Sequence, residues 1–269
     1  MKQRVISAVV GLVVLVLVLM LYMTPVFLAA VAALAAIAAH EMLHAAGCGE
    51  ARTFMIAAIL ASVFTVVTPY TFFASYFTIY LSVVIFAMLY FILHYHGKVS
   101  AENLVFGGAM STALASTFRC FVQMREMLGR EEGLYALCVT LVAAWMSDTG
   151  GYFVGRFFGK HKLCPHISPK KTVEGVFGGI VFAIVGQVIA SVVFTVLTGR
   201  TVALLPLVLI SPVLTAVSIL GDLTASAIKR DAGIKDYGKI MPGHGGVLDR
   251  FDSVLPLAPV VYLLFYYVY

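Results

Sequence analysis

VFGGIVFAIVGQVIASVVFTVL, residues 176–197, runs for twenty-two residues without one charged side chain. As a helix rising 1.5 Å per residue it would be about 33 Å long, close to the ~30 Å hydrocarbon core of a bilayer. The same reading extends outward in both directions. Apolar blocks fall near 5–23, 25–39, 54–68, 72–93, 103–118 and 134–155 before it, and near 202–221 and 253–269 after it. The breaks carry turn residues or charge: Thr24-Pro25, His40 to Arg52, Pro69, His94 to Glu102, and Arg119 to Gly133. Two breaks are longer and more polar, Arg156 to Gly175 and Asp222 to Asp252. Only helices span a bilayer economically in a chain of this kind. The expectation is therefore an all-α, polytopic transmembrane protein with about nine spans, forming a single integral-membrane domain over 1–269.

Composition excludes the soluble alternative. Hydrophobic residues make up 61% of the 269, mean hydropathy is +1.00, and 12% are charged, where a soluble domain has about 25%. The net charge of +5 reads as membrane-surface charge, and no nucleic-acid partner is expected. Cys48, Cys120, Cys138 and Cys164 are widely spaced and form no zinc or disulfide framework. Lys2 and Arg4 before the run Val5 to Met23 have the outline of a signal peptide. The run is too long, however, and lacks a small-x-small cleavage site, so a retained first span is expected. With the N-terminus inside, fourteen of the eighteen Lys and Arg residues fall in inside segments, and Arg119, Arg125, Arg130 and Arg200 fall outside. That split places both long polar loops, near 156–175 and 222–252, in the cytoplasm.

Those loops hold the residues able to do chemistry. If the eighth helix continues past Gly221, then Asp222, Ser226 and Lys229 share a face at its cytoplasmic end. Asp249 and Asp252, three apart, would share a face at the start of the ninth helix, where the positive helix end favours carboxylates. Between them, Pro242-Gly243-His244-Gly245-Gly246 allows a close backbone approach to a ligand. The set offers oxygen ligands for Mg²⁺, cations for phosphates and a glycine-rich seat. Asp148 interrupts an apolar block, where a charge is costly and by default functional. The alternative for it is structural, held by Ser147, Thr149 or Trp145. Lys160, Lys162, Lys170 and Lys171 are either ordinary inside-facing charges or a funnel for a triphosphate.

The run Ser226, Lys229-Arg230, Lys235-Asp236, Pro242, His244-Gly245-Gly246, Asp249-Arg250 and Asp252 resembles the C-terminal signature of the phosphatidate cytidylyltransferase family. Ser147-Asp148 and Ser168-Pro169-Lys170-Lys171-Thr172-x-Glu174-Gly175 are similar to that family as well. The likeness is detailed over about 145–252 and is only general hydropathy over the first 130 residues. It implies CTP and phosphatidic acid as substrates, CDP-diacylglycerol and pyrophosphate as products, and a bacterial-type inner membrane with the active site facing the cytoplasm. Joining two polyanions calls for metal ions and cations, so Asp249 and Asp252, with Asp222 as a third candidate, are expected to hold Mg²⁺, with a second cation left open. Lys229, Arg230, Lys170 and Lys171 are assigned to phosphates, with the Gly245-Gly246 backbone against a phosphate and Ser226 and Arg250 in the substrate site. His244 either bonds a phosphate or shapes the turn, and Asp148 either lines the cavity or binds metal. Membrane lipids are the surroundings, and a homodimer is an open assembly.

His40-Glu41-Met42-Leu43-His44 is a literal H-E-x-x-H, the zinc motif of metalloproteases. The third ligand that intramembrane proteases draw from an Asn-Pro-containing segment has no counterpart, since the chain has no Asn-Pro. The motif is expected to be a polar helix end facing cytoplasmic water. Two other readings stay on the page: a CTP-dependent lipid-alcohol kinase, which transfers the terminal phosphoryl group, and a membrane transporter, which would place its ionisable residues near the midplane.

Overall fold

The computed structural model describes residues 2–269, with side chains from Ile6 onward. The side chains of Lys2 and Arg4, counted above toward orientation, lie outside the described residues. The protein is 78% helical, and its one sheet is a two-stranded hairpin. The helices are α1 (Lys2–Met20), α2 (Pro25–Ala45), α3 (Arg52–Val67), α4 (Tyr70–His94), α5 (Ala101–Phe158), α6 (Val173–Thr198), α7 (Leu204–Asp231), α8 (Leu248–Phe251) and α9 (Leu257–Val268). The strands β1 (Lys162–Cys164) and β2 (Ser168–Thr172) lie between α5 and α6 and pair antiparallel. Five helices, α2, α4, α5, α6 and α7, are long and apolar enough to cross a membrane, and the protein is an integral membrane protein.

Local sequence explains the helix ends. Thr24 caps α2, its hydroxyl accepting the Val26 amide, with Pro25 at the first helical position, where its missing N–H is harmless. Thr172 caps α6 by accepting the Gly175 amide at 3.1 Å, and Gly199 ends it in the left-handed conformation. The stretch Arg119 to Gly133, expected as a connection, is helical within α5 except at Gly129, whose φ of 79° interrupts the helix. Its Arg, Gln and Glu residues are polar but, like its Met residues, are also good helix formers.

The chain forms two compact units. One comprises the residues up to Glu126 together with Asp231–Arg250; the other comprises Met127–Arg230 and Phe251–Tyr269. In the first unit a core of Leu43, Cys48, Ala51, Phe54, Tyr95 and Leu104 joins α2, α3, α4 and the start of α5. Arg119 is buried in this unit and donates to the Thr65 carbonyl at 2.6 Å and to the Thr68 carbonyl. These are orphan carbonyls at the negative end of α3, and a cation there is favoured. α4 has no buried residue; side chains such as Phe72, Phe77, Ile79, Ile85, Phe86 and Leu89 face outward, as on a lipid-facing helix, while Phe91 and Ile92 pack against that core.

In the second unit α5 and α6 pack through glycine. A Cβ at Gly150 would lie 2.5 Å from the Gly178 carbonyl, and one at Gly186 would lie 2.6 Å from Met146 Cγ. Lipid supplies no hydrophobic force between helices, so close backbone approach is how they gain contact. α7 has 28 residues, about 42 Å of helix, so its last turns extend beyond a ~30 Å hydrocarbon core.

Candidate active site

α7 does continue past Gly221, so Asp222, Ser226 and Lys229 lie on one face of its projecting end. Ser226 Oγ donates to Asp222 Oδ1 at 3.3 Å. Lys171 Nζ sits 2.7 Å from Asp222 Oδ2 and, among the described residues, has no other hydrogen-bond partner. Within β2, Lys171 is half-buried against Asp222 and Lys170 is exposed. The hairpin, in a segment expected as a loop, makes these adjacent lysines unequal.

Asp148 and Asp252 meet at Ser253. Its Oγ lies 3.0 Å from Asp148 Oδ2 and 3.2 Å from Asp252 Oδ1, and its amide donates to Asp252 Oδ1 at 2.8 Å. The local alternative for Asp148 is not realised: Thr149 donates to the Trp145 carbonyl. Asp148 is within electrostatic range of Asp222 and Lys171. The Asp252 carboxyl is pushed up to about 6, first by burial and then by the Asp222 charge, with Lys229 and the Ser253 amide opposing and Asp148 adding to the rise. Three carboxylates and two lysines thus converge in this unit.

Asp249 and Asp252 do not share a face at the start of the ninth helix. α8 is a single turn, residues 252–256 form turns, and α9 begins at Leu257. The cause is Pro256. In a continuous helix it would lack the N–H owed to the Asp252 carbonyl, and its ring would clash there. Each carboxylate accordingly has its own partners. Asp249, 7% exposed, accepts the Tyr237 amide at 2.8 Å and the Gly246 amide at 2.9 Å, both on Oδ2.

The glycine segment in the first unit makes a tight turn. His244 and Gly245 amides donate to the Met241 carbonyl, and the Met241 amide donates to the Gly245 carbonyl. Gly243 (φ 78°) and Gly245 (φ 86°) are left-handed, where glycine alone is unstrained. The Gly245 and Gly246 amides, expected to face a phosphate, donate inward to Met241 and Asp249. What this turn offers outward is side chains. A cleft of about 520 Å³ is lined by Lys235, Asp236, Lys239, His244 and Arg250 together with the turn itself. Ser7 of α1 reaches this turn, donating to the Pro242 carbonyl at 3.0 Å and lying 2.7 Å from His244 Nδ1. Arg230 is exposed at the end of α7.

One residue without an expected role is central to this turn. Glu41 is 4% exposed, not washed by water at a helix end. It accepts the Val247 amide on Oε1 at 3.0 Å and the Leu248 amide on Oε2 at 2.9 Å. His40 and His44 beside it are exposed, with ring centroids 4.6 Å apart. In the sequence Glu41 stands out as a carboxylate close to an apolar helix, within the H-E-x-x-H pattern. Among the described residues no three His, Cys, Asp or Glu side chains form a metal cage.

A family model described as "Cytidylyltransferase family" matches residues 2–268. A protein of Staphylococcus saprophyticus named phosphatidate cytidylyltransferase is 44% identical over 135 residues, 50% of each chain. One of Bacillus subtilis with the same name is 44% identical over 147 residues, 55% of this chain and 52% of that one. One of Haemophilus influenzae is 39% identical over 140 residues, 51% and 47% of the two chains. The chain spans about half the length of the curated relatives it matches. With a family model that runs almost from end to end, the chain belongs to the cytidylyltransferase family.

Proposed function

We propose that this chain joins CTP to phosphatidic acid, giving CDP-diacylglycerol and pyrophosphate. The observation that carries the reading is the convergence of Asp148, Asp222 and Asp252 with Lys171 and Lys229. The name shared by the relatives supports the same substrates. The lipid phosphate is already anionic, so its oxygen can form the new bond to the α-phosphorus without a general base. The bond from that phosphorus to the oxygen bridging the α- and β-phosphates breaks, and pyrophosphate leaves with the electron pair. The task left to the protein is to bring two polyanions together.

Lys171 and Lys229 lower that repulsion, and the unused donors of Lys171 suit a phosphate oxygen. Exposed Lys170 and Arg230 draw anions toward the surface. Taken by itself, the cleft with Lys235, Lys239, His244 and Arg250 suits a polyphosphate. Mg²⁺ is usually held by one or two carboxylates plus substrate phosphates, so the fit is judged on a pair of oxygen donors. Asp222 and Asp252 supply such a pair, and a cation would offset the burial and the Asp222 charge that raise Asp252. Bound there, Mg²⁺ would neutralise charge on the reacting phosphates. Asp148 shares the Ser253 hydroxyl with Asp252 and lines the same cluster. Asp249, expected as a ligand, is given a different part here, because its Oδ2 already holds two amides. A homodimer is not required by any step of this reading.

Product identity is the deciding experiment. Purified protein with phosphatidic acid, Mg²⁺ and CTP labelled at the α-phosphorus is expected to place label in a CDP-lipid. A CTP-dependent lipid-alcohol kinase would instead transfer label only from the γ-position. A transporter would leave both substrates intact.

The finer topology is part of the proposal: about nine spans, the N-terminus inside, and loops near 156–175 and 222–252 facing the cytoplasm of a bacterial-type inner membrane. Single cysteines placed in those loops of a cysteine-free variant should resist impermeant thiol reagents in intact cells. Labelling from outside would reverse the orientation. For the histidine pair, His44→Ala should keep turnover within about tenfold, because an exposed polar contact is worth only about 1 kcal/mol. Stoichiometric zinc lost together with activity in that variant would revive the metalloenzyme reading.

A further inference from the structure

We propose that Glu41, on α2, is a positioning residue for the 238–250 segment, holding in place the turn and the cationic cleft that receive the nucleotide's phosphates. The inference rests on the reading above for what the cleft binds, but the positioning itself stands on geometry within one unit. Glu41 is buried, and each of its oxygens takes one amide, Val247 on Oε1 and Leu248 on Oε2. Gly246 gives its amide to Asp249. The three successive amides of residues 246–248 are therefore all held by carboxylates, two of them from Glu41, more than 200 residues earlier in the chain. Amide–carboxylate bonds are the strong, charge-assisted kind.

The backbone has been shaped around this side chain. A Cβ on Gly238 would run into Glu41 Oε1, and a Cβ on Gly246 would run into Oε1 and lie 2.6 Å from Oε2. Neither glycine has a left-handed φ, so their lack of a side chain is explained by the carboxylate seated between them and not by backbone conformation. Gly238 and Gly245 line the cleft together with Lys239, His244 and Arg250. One carboxylate thus fixes the floor on which those cations stand. His40 and His44, the residues that would make the motif a zinc site, stay exposed and take no part in it.

Glu41→Gln tests this with little change of shape. One oxygen becomes an NH₂ facing an amide N–H, so one bond is lost and a donor–donor contact replaces it. Hydrogen–deuterium exchange on the purified variant should speed up about tenfold or more over 238–250, with α5 and α7 unchanged. This readout needs no assumption about the reaction. In turnover assays the KM for CTP should rise roughly tenfold or more, while the KM for phosphatidic acid stays within about twofold. A merely structural residue would lower the folded fraction and leave both KM values alone. Gly246→Ala should be damaging in the parent but much less so in Glu41→Ala, where the obstructing carboxylate is gone, a coupling that a double-mutant cycle reads directly. Unchanged exchange over 238–250 in Glu41→Gln, or additive effects in the Gly246 cycle, would overturn the assignment. If the parent makes no CDP-lipid, the reaction is wrong, and exchange and the cycle, read by thermal stability, still decide the role of Glu41.

Discussion

Asp252→Asn is expected to lower turnover by at least roughly a hundredfold, the scale of a lost electrostatic stabiliser, while the protein still inserts and purifies like the parent. Asn keeps the shape and removes one negative charge from a group of three. The same crowding gives the variant a second signature. The Asp252 carboxyl rises from 3.8 in the unfolded chain to about 6 in the folded one, chiefly through burial and the nearby Asp222 charge. The folded protein therefore binds the extra proton between about pH 4 and pH 6, and stability falls as pH rises through that window. Once ionised, such a group disfavours the folded state by at most ~3 kcal/mol. Without Mg²⁺, then, Asp252→Asn should melt at a higher temperature than the parent at pH 8, and at the same temperature near pH 4. In the parent, turnover should decline below about pH 6, and the midpoint should move down as Mg²⁺ is raised, because cation and proton compete. Lys171→Gln should also lose turnover, but without recovery at high Mg²⁺, since it removes a phosphate contact and no ligand. Near-parental rates for Asp252→Asn at low Mg²⁺ would mean that the cation is held by other residues.

Gly221→Ala should be nearly as harmful, although it alters no charge. An added Cβ would overlap the Asp252 carbonyl oxygen and lie 2.6 Å from Pro256 Cγ. Backbone and a proline ring cannot swing aside as a flexible side chain does. α7 and the 252–256 turn would have to separate by about an ångström. Misplacement of that size costs roughly a hundredfold in rate when reacting groups depend on it. Asp222 follows Gly221 directly and Asp252 owns the obstructed carbonyl, so both proposed ligands move. Overpacking also destabilises by about 1–3 kcal/mol, which a thermal melt would register separately. Gly11→Ala, with nothing within 4 Å of the new methyl, is the control and should behave like the parent. Parental turnover in Gly221→Ala would show that this close approach is not needed for the chemistry.

Much of the helical framework is legible in hydropathy, because a bilayer demands long apolar runs. Residues 176–197 became α6, and the block near 72–93 became α4. Charge spacing on α7 was equally readable once the helix was granted its full length. The misses share a cause, which is that local pattern cannot see a distant partner. Ser168-Pro-Lys-Lys-Thr172 has no apolar alternation to mark a strand, and β1 across the hairpin creates one. The three-residue spacing of Asp249 and Asp252 looks helical, and only Pro256, further on, undoes it. The tie between Glu41 and residues 247–248 spans most of the chain and leaves no local trace. Arg119 looks like a loop charge in the sequence, and the carbonyls that accept from it lie at the distant end of α3.

The seam of α5 and α6 has a consequence for how such a protein can vary. Gly150 and Gly178 each press against a backbone carbonyl of the opposite helix, and Gly186 presses against Met146 and Val142. Few neighbours there can yield, so even one methyl forces the two helices apart. A library randomised at every position and selected for growth should return a blank column at each of these three. Outward-facing sites such as Val181, Val185 and Ile189 should accept almost any aliphatic residue. The spans would drift freely on their lipid side while this inner line stayed unchanged, so that the most conservative part of the molecule would be made of residues with no side chain at all.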